Sequence, residues 1–238
     1  ATAARLRRAQ SVQDAGLLQL PDAHVLLITV DALRADHLGA YGYARSITPE
    51  LDALAAQGAV LEHAYAQAPH SSYSLCALMT SECLHETTEL GAAPPGRTLP
   101  RMLADTGYHT AAFYTQGIFH TAAERLGVYE RDAFGFSLHD HQDRPAQQMT
   151  DRVLSEIDRT AVRGEPSALF WVHYFDVHEP YEATTLGTSD LDRYDSELMA
   201  TDAAIGRLVR EARARLKKPV IVVVSADHGE EFHEHGGW

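Results

Sequence analysis

The chain has 238 residues, of which 45% are hydrophobic and 22% are charged, a composition typical of a globular protein with a sizeable core. The formal net charge of −13 at pH 7 argues against a nucleic-acid-binding surface, which needs clustered Lys and Arg, so we expect no nucleic-acid partner. The two cysteines are too few for a disulfide scaffold, and no run approaches the roughly 20 apolar residues of a membrane-spanning helix.

Strand and helix signals alternate along the chain, which predicts βαβ units and an α/β fold with a mostly parallel central sheet. The first helix is clearly marked, because Thr48 suits an N-cap, Pro49 the first turn and Gly58 the end. In chain order we predict strand 24–31, helix 48–58, strand 59–65, helix 72–80, helix 98–105, strand 109–114, helix 147–160, strand 168–175, helix 189–216 and strand 219–224. Residues 117–143 show no regular period, and we expect them to form loops close to the functional site.

Acidic and imidazole side chains follow the first and the last predicted strands. Asp31 comes at the end of the first strand, and Asp227 and His228 follow the apolar run 220–224. Because the carboxyl ends of parallel strands meet at one edge of a sheet, these three residues can lie side by side. An isolated Asp-His pair is more often part of a solvated loop, but the acid that ends the first strand favours a metal site.

The segment Ser71-Ser72-Tyr73-Ser74 stands at the start of the predicted helix 72–80. A serine in this place is usually an N-cap. The same place suits catalysis, because the positive end of the helix dipole stabilises an alkoxide and attracts a sulfate or phosphate group. The residue pattern alone leaves both roles open for Ser71.

Four segments, taken together, resemble the sulfatase branch of the alkaline-phosphatase superfamily in their order and spacing. They are residues 27–42, 71–81, 173–181 and 225–232. The resemblance implies an alkaline-phosphatase-like fold with three α/β/α layers. It also implies a catalytic domain over residues 23–238 that follows an N-terminal extension, residues 1–22, and lacks its C-terminal part.

The resemblance assigns a role to each residue of the expected site. It implies that Asp31, Asp227 and His228 bind a divalent metal and that Ser71 is the metal-bound nucleophile. It further implies that His178 contacts the substrate or protonates the leaving group. Since His228 offers a nitrogen ligand, we expect zinc or manganese, with calcium as the alternative.

The nucleophile segment departs from the family's usual pattern. Sulfatases that convert Cys or Ser to formylglycine resemble Cys/Ser-x-Pro-x-Arg, whereas this chain has Tyr73 in place of Pro and Leu75 in place of Arg. We therefore expect no formylglycine. An unmodified Ser71 favours phosphoryl chemistry, although the family as a whole favours sulfate.

We therefore expect a metal-dependent hydrolase of sulfate or phosphate esters, acting on an anionic ester of a small molecule, a glycan or a lipid. A phosphoethanolamine or phosphoglycerol transferase of the same superfamily is the first alternative. A catalytically inactive binding module is the second, and the presence of Asp31, Asp227, His228 and His178 together argues against it. We expect an extracytoplasmic or membrane-anchored protein, with membrane contact only through segments outside this chain. The sequence leaves the oligomeric state open.

Other candidate residues are weaker. We expect His173 to be a hydrogen-bonded core residue, because it lies within a strand. His235 is a candidate extra ligand, and the nearby Glu residues are either solvated or support the ligands. Tyr114 follows a strand and is a weak candidate to line the pocket, and His85 and His120 are similar cases. We expect Cys76 and Cys83 to be small, partly buried residues, with a local disulfide as the alternative in an exported protein. The Glu residues meant here are Glu230, Glu231 and Glu234.

Overall fold

A five-stranded sheet runs through the part of the chain that the computed structural model describes, namely residues 22–82, 97–119, 132–164 and 167–236. All neighbouring strands are parallel, in the order β3-β2-β4-β1-β5. The strands are β1 His24–Val30, β2 His109–Phe113, β3 Leu138–Asp140, β4 Ala168–Tyr174 and β5 Val220–Ala226. Several predictions fall outside the described residues: nearly all of the N-terminal extension, Cys83, His85 and His120.

Helices cover both faces of the sheet. They are α1 Pro49–Gln57, α2 Ser71–Thr80, α3 Leu99–Ala104, α4 Ala146–Arg163 and α5 Asp190–Arg215. Short 3-10 turns lie at Ala35–His37, Gly39–Tyr41, Gln116–Phe119 and Ala133–Gly135. None of the helices in the described ranges is both long enough and apolar enough to cross a membrane.

Alternate side chains of β1 enter two separate cores, because successive residues of a strand point to opposite faces. Leu26 and Ile28 pack in a core that includes residues of α1, α4 and α5. Leu27 packs on the other face with Trp171 of β4 and with residues of α2. The molecule therefore has the three α/β/α layers predicted from the sequence.

The register of the sheet brings together two strands that are far apart in the sequence. β1 lies between β4 and β5, with Val30 opposite Tyr174 on one side and Ala226 on the other. Asp31 and Asp227 each follow one of these paired residues, so they leave the sheet at the same level of its carboxyl edge. The expected meeting of Asp31 with Asp227 and His228 thus has a direct cause in the pairing of β1 with β5.

Two predictions of local structure are wrong. Residues 59–65 form no strand, and their side chains are exposed, with Leu61 at 71% and Tyr65 at 81%. A strand needs a partner, and within the described ranges this segment pairs with none, so its β-propensity is not realised. Residues 117–143 were expected to form loops, but three of them form the strand β3, which pairs with β2.

The first turn of α1 is capped from another helix. The carboxylate of Asp202 in α5 accepts the backbone N–H groups of Glu50, at 3.0 Å, and of Leu51, at 2.8 Å. Thr48 occupies the N-cap position, as predicted, but its side chain makes no cap hydrogen bond. Its hydroxyl accepts the Gly39 N–H at 3.1 Å instead.

Candidate metal centre

Asp31, Asp227 and His228 converge at the carboxyl edge of the sheet. One ligand atom from each lies within 4.8 Å of the other two, and both carboxylates are buried. The His228 Nε2 atom is 3.4 Å from Asp31 Oδ1 and 3.7 Å from Asp227 Oδ2. Donors about 2.0 to 2.2 Å from a tetrahedral zinc ion would be roughly 3.4 Å apart, so this spacing fits such an ion.

Each carboxylate has one occupied and one unpartnered oxygen. Asp227 Oδ1 accepts the backbone N–H groups of Ala32, at 3.2 Å, and of His228, at 2.7 Å. Asp31 Oδ2 accepts from Ser71 Oγ at 3.1 Å and lies 3.2 Å from His173 Nε2. Their other oxygens, Asp31 Oδ1 and Asp227 Oδ2, are buried without a hydrogen-bond partner among the described residues. A buried carboxylate oxygen without a partner is costly, and a cation would remove that cost.

The imidazole of His228 has its unprotonated nitrogen next to the two carboxylates. Its Nδ1 atom lies 2.7 Å from the Gly229 carbonyl oxygen. A carbonyl only accepts, so Nδ1 carries the proton and Nε2 keeps its lone pair. That lone pair is on the atom nearest the two unpartnered carboxylate oxygens, as metal ligation by a neutral imidazole requires.

The pKa values of the two carboxyl groups are shifted in opposite directions. Burial and the charge of Asp31 raise the pKa of Asp227 above its ordinary value. Burial also opposes the ionisation of Asp31, but its hydrogen bond with His173 and the nearby imidazoles lower its pKa below the ordinary value. Two buried carboxylates this close repel one another when both are ionised, and a divalent cation would relieve that repulsion.

Ser71 is the first residue of α2, and its hydroxyl is not the cap of that helix. The N-cap is His70, whose Nδ1 atom accepts the backbone N–H of Ser72 at 3.3 Å. Ser71 Oγ donates to Asp31 and lies 3.2 Å from His228 Nε2. Its hydroxyl therefore lies beside the three candidate ligand atoms.

The neighbouring serines have other partners. The Ser72 hydroxyl donates to the Ile118 carbonyl, and the Ser74 hydroxyl donates to the Asp227 carbonyl. The Ser74 bond ties α2 to the chain directly after β5. Of the three serines, only Ser71 has its hydroxyl within hydrogen-bond distance of side-chain atoms of the candidate centre, because Ser74 contacts Asp227 through the backbone carbonyl.

His178 lies in the loop after β4, where its ring stacks on Phe175 with a centroid separation of 4.6 Å. Its Nδ1 atom is 2.7 Å from the Glu179 carbonyl and so carries a proton, which leaves Nε2 for other contacts. His178 therefore lies on the loop after β4, the strand that pairs with β1 just before Asp31.

Residues outside this group have different surroundings. Leu75, which stands where the formylglycine pattern has Arg, is fully buried in the core with Met79. Tyr114 stacks on Trp171 in the same core, so it does not line the site. Cys76 is a free buried thiol, and burial raises its pKa to about 12.

The acidic side chains that follow His228 make hydrogen bonds with other groups of the protein. Glu230 accepts the Tyr181 hydroxyl at 2.6 Å, and Glu234 lies 2.5 Å from Arg34. Glu231 accepts the backbone N–H of His235, whose side chain is 87% exposed. These contacts favour a supporting role for the acids and place the His235 side chain in solvent.

Sequence reasoning missed two residues near the centre. His70 caps α2, and Thr29 Oγ1 lies 2.8 Å from His173 Nδ1. His173 is a buried, hydrogen-bonded residue, as expected, but its contact with Asp31 was not foreseen. A usable signal was present, because Thr29 is a polar residue two positions before Asp31 in an otherwise apolar strand.

Known proteins share this chain's fold. The curated "Putative transferase YhbX" of Escherichia coli (strain K12) is 26% identical over 247 aligned residues, which cover 95% of this chain and 42% of that protein. The C-terminal periplasmic domain of EcEptC from Escherichia coli superposes with a TM-score of 0.68 at 20% identity, covering 91% of this chain and 65% of that one. A complex of the same domain with Zn gives a TM-score of 0.70 at 19% identity, over 91% and 66% of the two chains.

The lipoteichoic acid synthase LtaP from Listeria monocytogenes has a TM-score of 0.72 at 14% identity, covering 92% of this chain and 59% of that one. The chain thus spans less than half of YhbX and no more than about two thirds of these structures. At such identities the structures show the fold alone. The sequence profile described as Sulfatase, however, matches residues 23–238, so the chain belongs to the sulfatase family.

Proposed function

We propose that this protein cleaves phosphoric or sulfuric esters with Ser71 as the nucleophile and a divalent metal held by Asp31, Asp227 and His228. One observation carries the proposal. Three ligand atoms, each left over after the other hydrogen bonds of its side chain are made, converge beside the Ser71 hydroxyl. A catalytically inactive binding module has no need of a hydroxyl in that position.

The donor set supports zinc or manganese over calcium. One imidazole nitrogen and two carboxylate oxygens suit zinc and manganese, whereas calcium prefers oxygen ligands alone. A divalent metal bound here would lower the pKa of the Ser71 hydroxyl and offset charge on the non-bridging oxygens of the ester. The Ser71 oxygen, which lies 3.2 Å from His228 Nε2, would complete the set as a fourth donor.

The chain's own residues account for the remaining requirements of the reaction. Ser71 Oγ would form a bond to phosphorus or sulfur while the bond to the leaving oxygen breaks. The Ser71 proton would pass to solvent, and His178 would take up a proton from solvent on Nε2 and give it to the leaving oxygen. The N-terminus of α2, which carries Ser71, would favour the negative charge of the bound group.

Phosphoryl chemistry is the better fit to an unmodified serine. A phosphoserine ester is resolved when water attacks phosphorus and the Ser71 oxygen leaves with a proton. The buried Leu75 supplies no cation of the kind that the formylglycine pattern places at that position. We therefore propose that Ser71 stays unmodified.

Transfer to an acceptor alcohol is the second candidate. It is favoured by the similarity to YhbX, which is named as a transferase and aligns over 95% of this chain. An alcohol in place of water in the second step would give this outcome with the same residues. The substrate would then be an anionic lipid or glycan ester, and an extracytoplasmic location would agree with the periplasmic origin of the EcEptC domain.

A matched pair of serine variants tests the proposal. The full-length protein, loaded with zinc or manganese, would be assayed on aryl sulfate, aryl phosphate and phosphodiester substrates, with and without an added alcohol acceptor. We expect Ser71→Ala to abolish turnover and Ser72→Ala to retain it, because the Ser72 hydroxyl is bonded to the Ile118 carbonyl.

Three results would contradict the proposal. The first is loss of turnover in Ser72→Ala but not in Ser71→Ala. The second is a wild-type protein that binds no metal and cleaves none of the substrates. A mass spectrum with formylglycine at residue 71 would contradict the unmodified nucleophile.

A further inference from the structure

A line of buried polar groups runs along the sheet beneath α2 and ends at the candidate metal centre. Trp171 Nε1 donates to Thr29 Oγ1 at 3.0 Å, and Thr29 Oγ1 lies 2.8 Å from His173 Nδ1. His173 Nε2 in turn lies 3.2 Å from Asp31 Oδ2. Thr29, Asp31, Trp171 and His173 are all fully buried. We call these four residues the Trp171–Asp31 line.

Strand pairing explains why the line is continuous. β1 and β4 are neighbours, with Thr29 directly opposite His173 and Leu27 opposite Trp171. Thr29 and Asp31 lie two positions apart, as do Trp171 and His173, so all four face the same side of the sheet. Apolar residues such as Leu27 otherwise dominate that side.

The hydrogen bonds along the line have one direction. An indole N–H can only donate, so Thr29 Oγ1 uses a lone pair for Trp171 and keeps its own proton for His173 Nδ1. An ionised carboxylate can only accept, so His173 Nε2 must carry the proton that is shared with Asp31. Both ends of the line therefore specify the same neutral tautomer of His173.

We infer that His173 is a positioning residue, oriented by Thr29 and Trp171, that holds Asp31 so that Oδ1 faces the other candidate ligand atoms. The inference rests on the metal site of the proposed function. His173 occupies Asp31 Oδ2, whereas Oδ1 is the unpartnered atom that faces His228 Nε2 at 3.4 Å. Free rotation of the carboxylate would exchange the two oxygens, and the His173 bond opposes it. Three buried polar side chains in a core are costly, and fixing a ligand is a reason for that cost.

Thr29→Val tests the inference. The substitution preserves shape but removes the hydroxyl that orients His173, and we expect zinc to bind about 10- to 100-fold more weakly. Affinity would be measured by competition with a chelator on the full-length protein. Thr29→Ser keeps the hydroxyl and should restore an affinity close to that of the wild type.

Thr110→Val is the matched control. Thr110 of β2 is an equally buried threonine of the same sheet. Its hydroxyl bonds to Ser137, at 3.0 Å, just before β3 and not to a residue of the Trp171–Asp31 line. We expect this variant to lower thermal stability without changing zinc affinity. Equal zinc affinity in Thr29→Val and wild type would overturn the inference, as would an equal loss in both valine variants.

A second test uses NMR on the wild-type protein, so it depends neither on catalytic activity nor on the folding of a variant. The ¹⁵N shifts of the His173 ring in the metal-free wild type should show a proton on Nε2 and none on Nδ1. A proton on Nδ1 would overturn the inference, and so would a wild-type protein that binds no zinc. Zinc binding that depends on Thr29, in a protein that cleaves no ester, would contradict the proposed function alone.

Discussion

At the residue scale, the candidate centre depends on which atom of each side chain is already hydrogen-bonded. Asp31, Asp227 and His228 each have one polar atom held by a neighbouring group. The atom that remains on each faces the other two. The same reasoning separates Ser71 from Ser72, because only the Ser71 hydroxyl lies among these atoms.

His178→Gln should slow the cleavage of esters with poor leaving groups more than that of nitrophenyl esters. An alkoxide needs a proton as it leaves, whereas a nitrophenolate is stable without one, and loss of a general acid costs typically 10²- to 10⁴-fold. The comparison is of kcat/KM for alkyl and nitrophenyl substrates. His235→Gln is the control, because the exposed His235 ring lies outside the centre. Equal losses on both substrates would exclude a proton-donating role for His178.

At the element scale, the site depends on how helices are fixed to one another and to the sheet. The Ser74 hydroxyl joins α2 to the segment after β5, which keeps the helix that begins at Ser71 beside Asp227. Asp202 joins α5 to the first turn of α1 through two backbone N–H groups. Burial raises the pKa of Asp202 to about 6, and the charges of Glu50 and Asp52 add to this effect.

The Asp202 contact should make stability depend on pH. Because its pKa is higher in the folded protein than in the unfolded chain, its contribution is largest below pH 4 and is lost as the pH rises through 6. Asp202→Asn cannot ionise, so it does not lose this stability as the pH rises. The free energy of unfolding of the variant should therefore rise relative to that of the wild type between pH 4 and 7, by at most about 3 kcal/mol.

Urea unfolding at several pH values would measure the Asp202 effect. Asp202→Ser can also accept a backbone N–H but has no charge, so it should show the same trend as Asp202→Asn. A difference between variant and wild type that does not change with pH would contradict the assigned cause.

At the scale of the whole molecule, the candidate metal ligands come from segments far apart in the sequence. β1 and β5 are adjacent in the sheet, and this pairing alone brings Asp31 next to Asp227. The unfolded chain has no such site, so a metal that binds here binds the folded state only. The net charge of −13 also leaves the molecule with an excess of carboxylates that a cation would partly offset.

Zinc should therefore raise the melting temperature. A ligand at 100 times its dissociation constant stabilises the folded state by about 2.7 kcal/mol. Thermal melts with zinc, and with zinc plus excess EDTA, would measure the shift. Asp227→Asn should abolish it, since it replaces one of the two carboxylates. A shift of the same size in this variant would show that the stabilising metal binds elsewhere.

The sequence by itself determined the alternation of strands and helices and the placement of Asp31, Asp227 and His228 after strands. Apolar runs and helix caps are local signals, and the carboxyl ends of parallel strands share one edge. Resemblance to the sulfatase family then singled out Ser71 and His178. The roles of these five residues stay predictions.

Tertiary structure alone decided the rest. Strand pairing left residues 59–65 outside the sheet and added β3, because a strand forms only where a partner is available. The cap of α1 came from Asp202, and the support of Asp31 came from His173, both distant in sequence. Which oxygen or nitrogen of each side chain is left unpartnered depends on such long-range contacts, and local sequence patterns do not encode them.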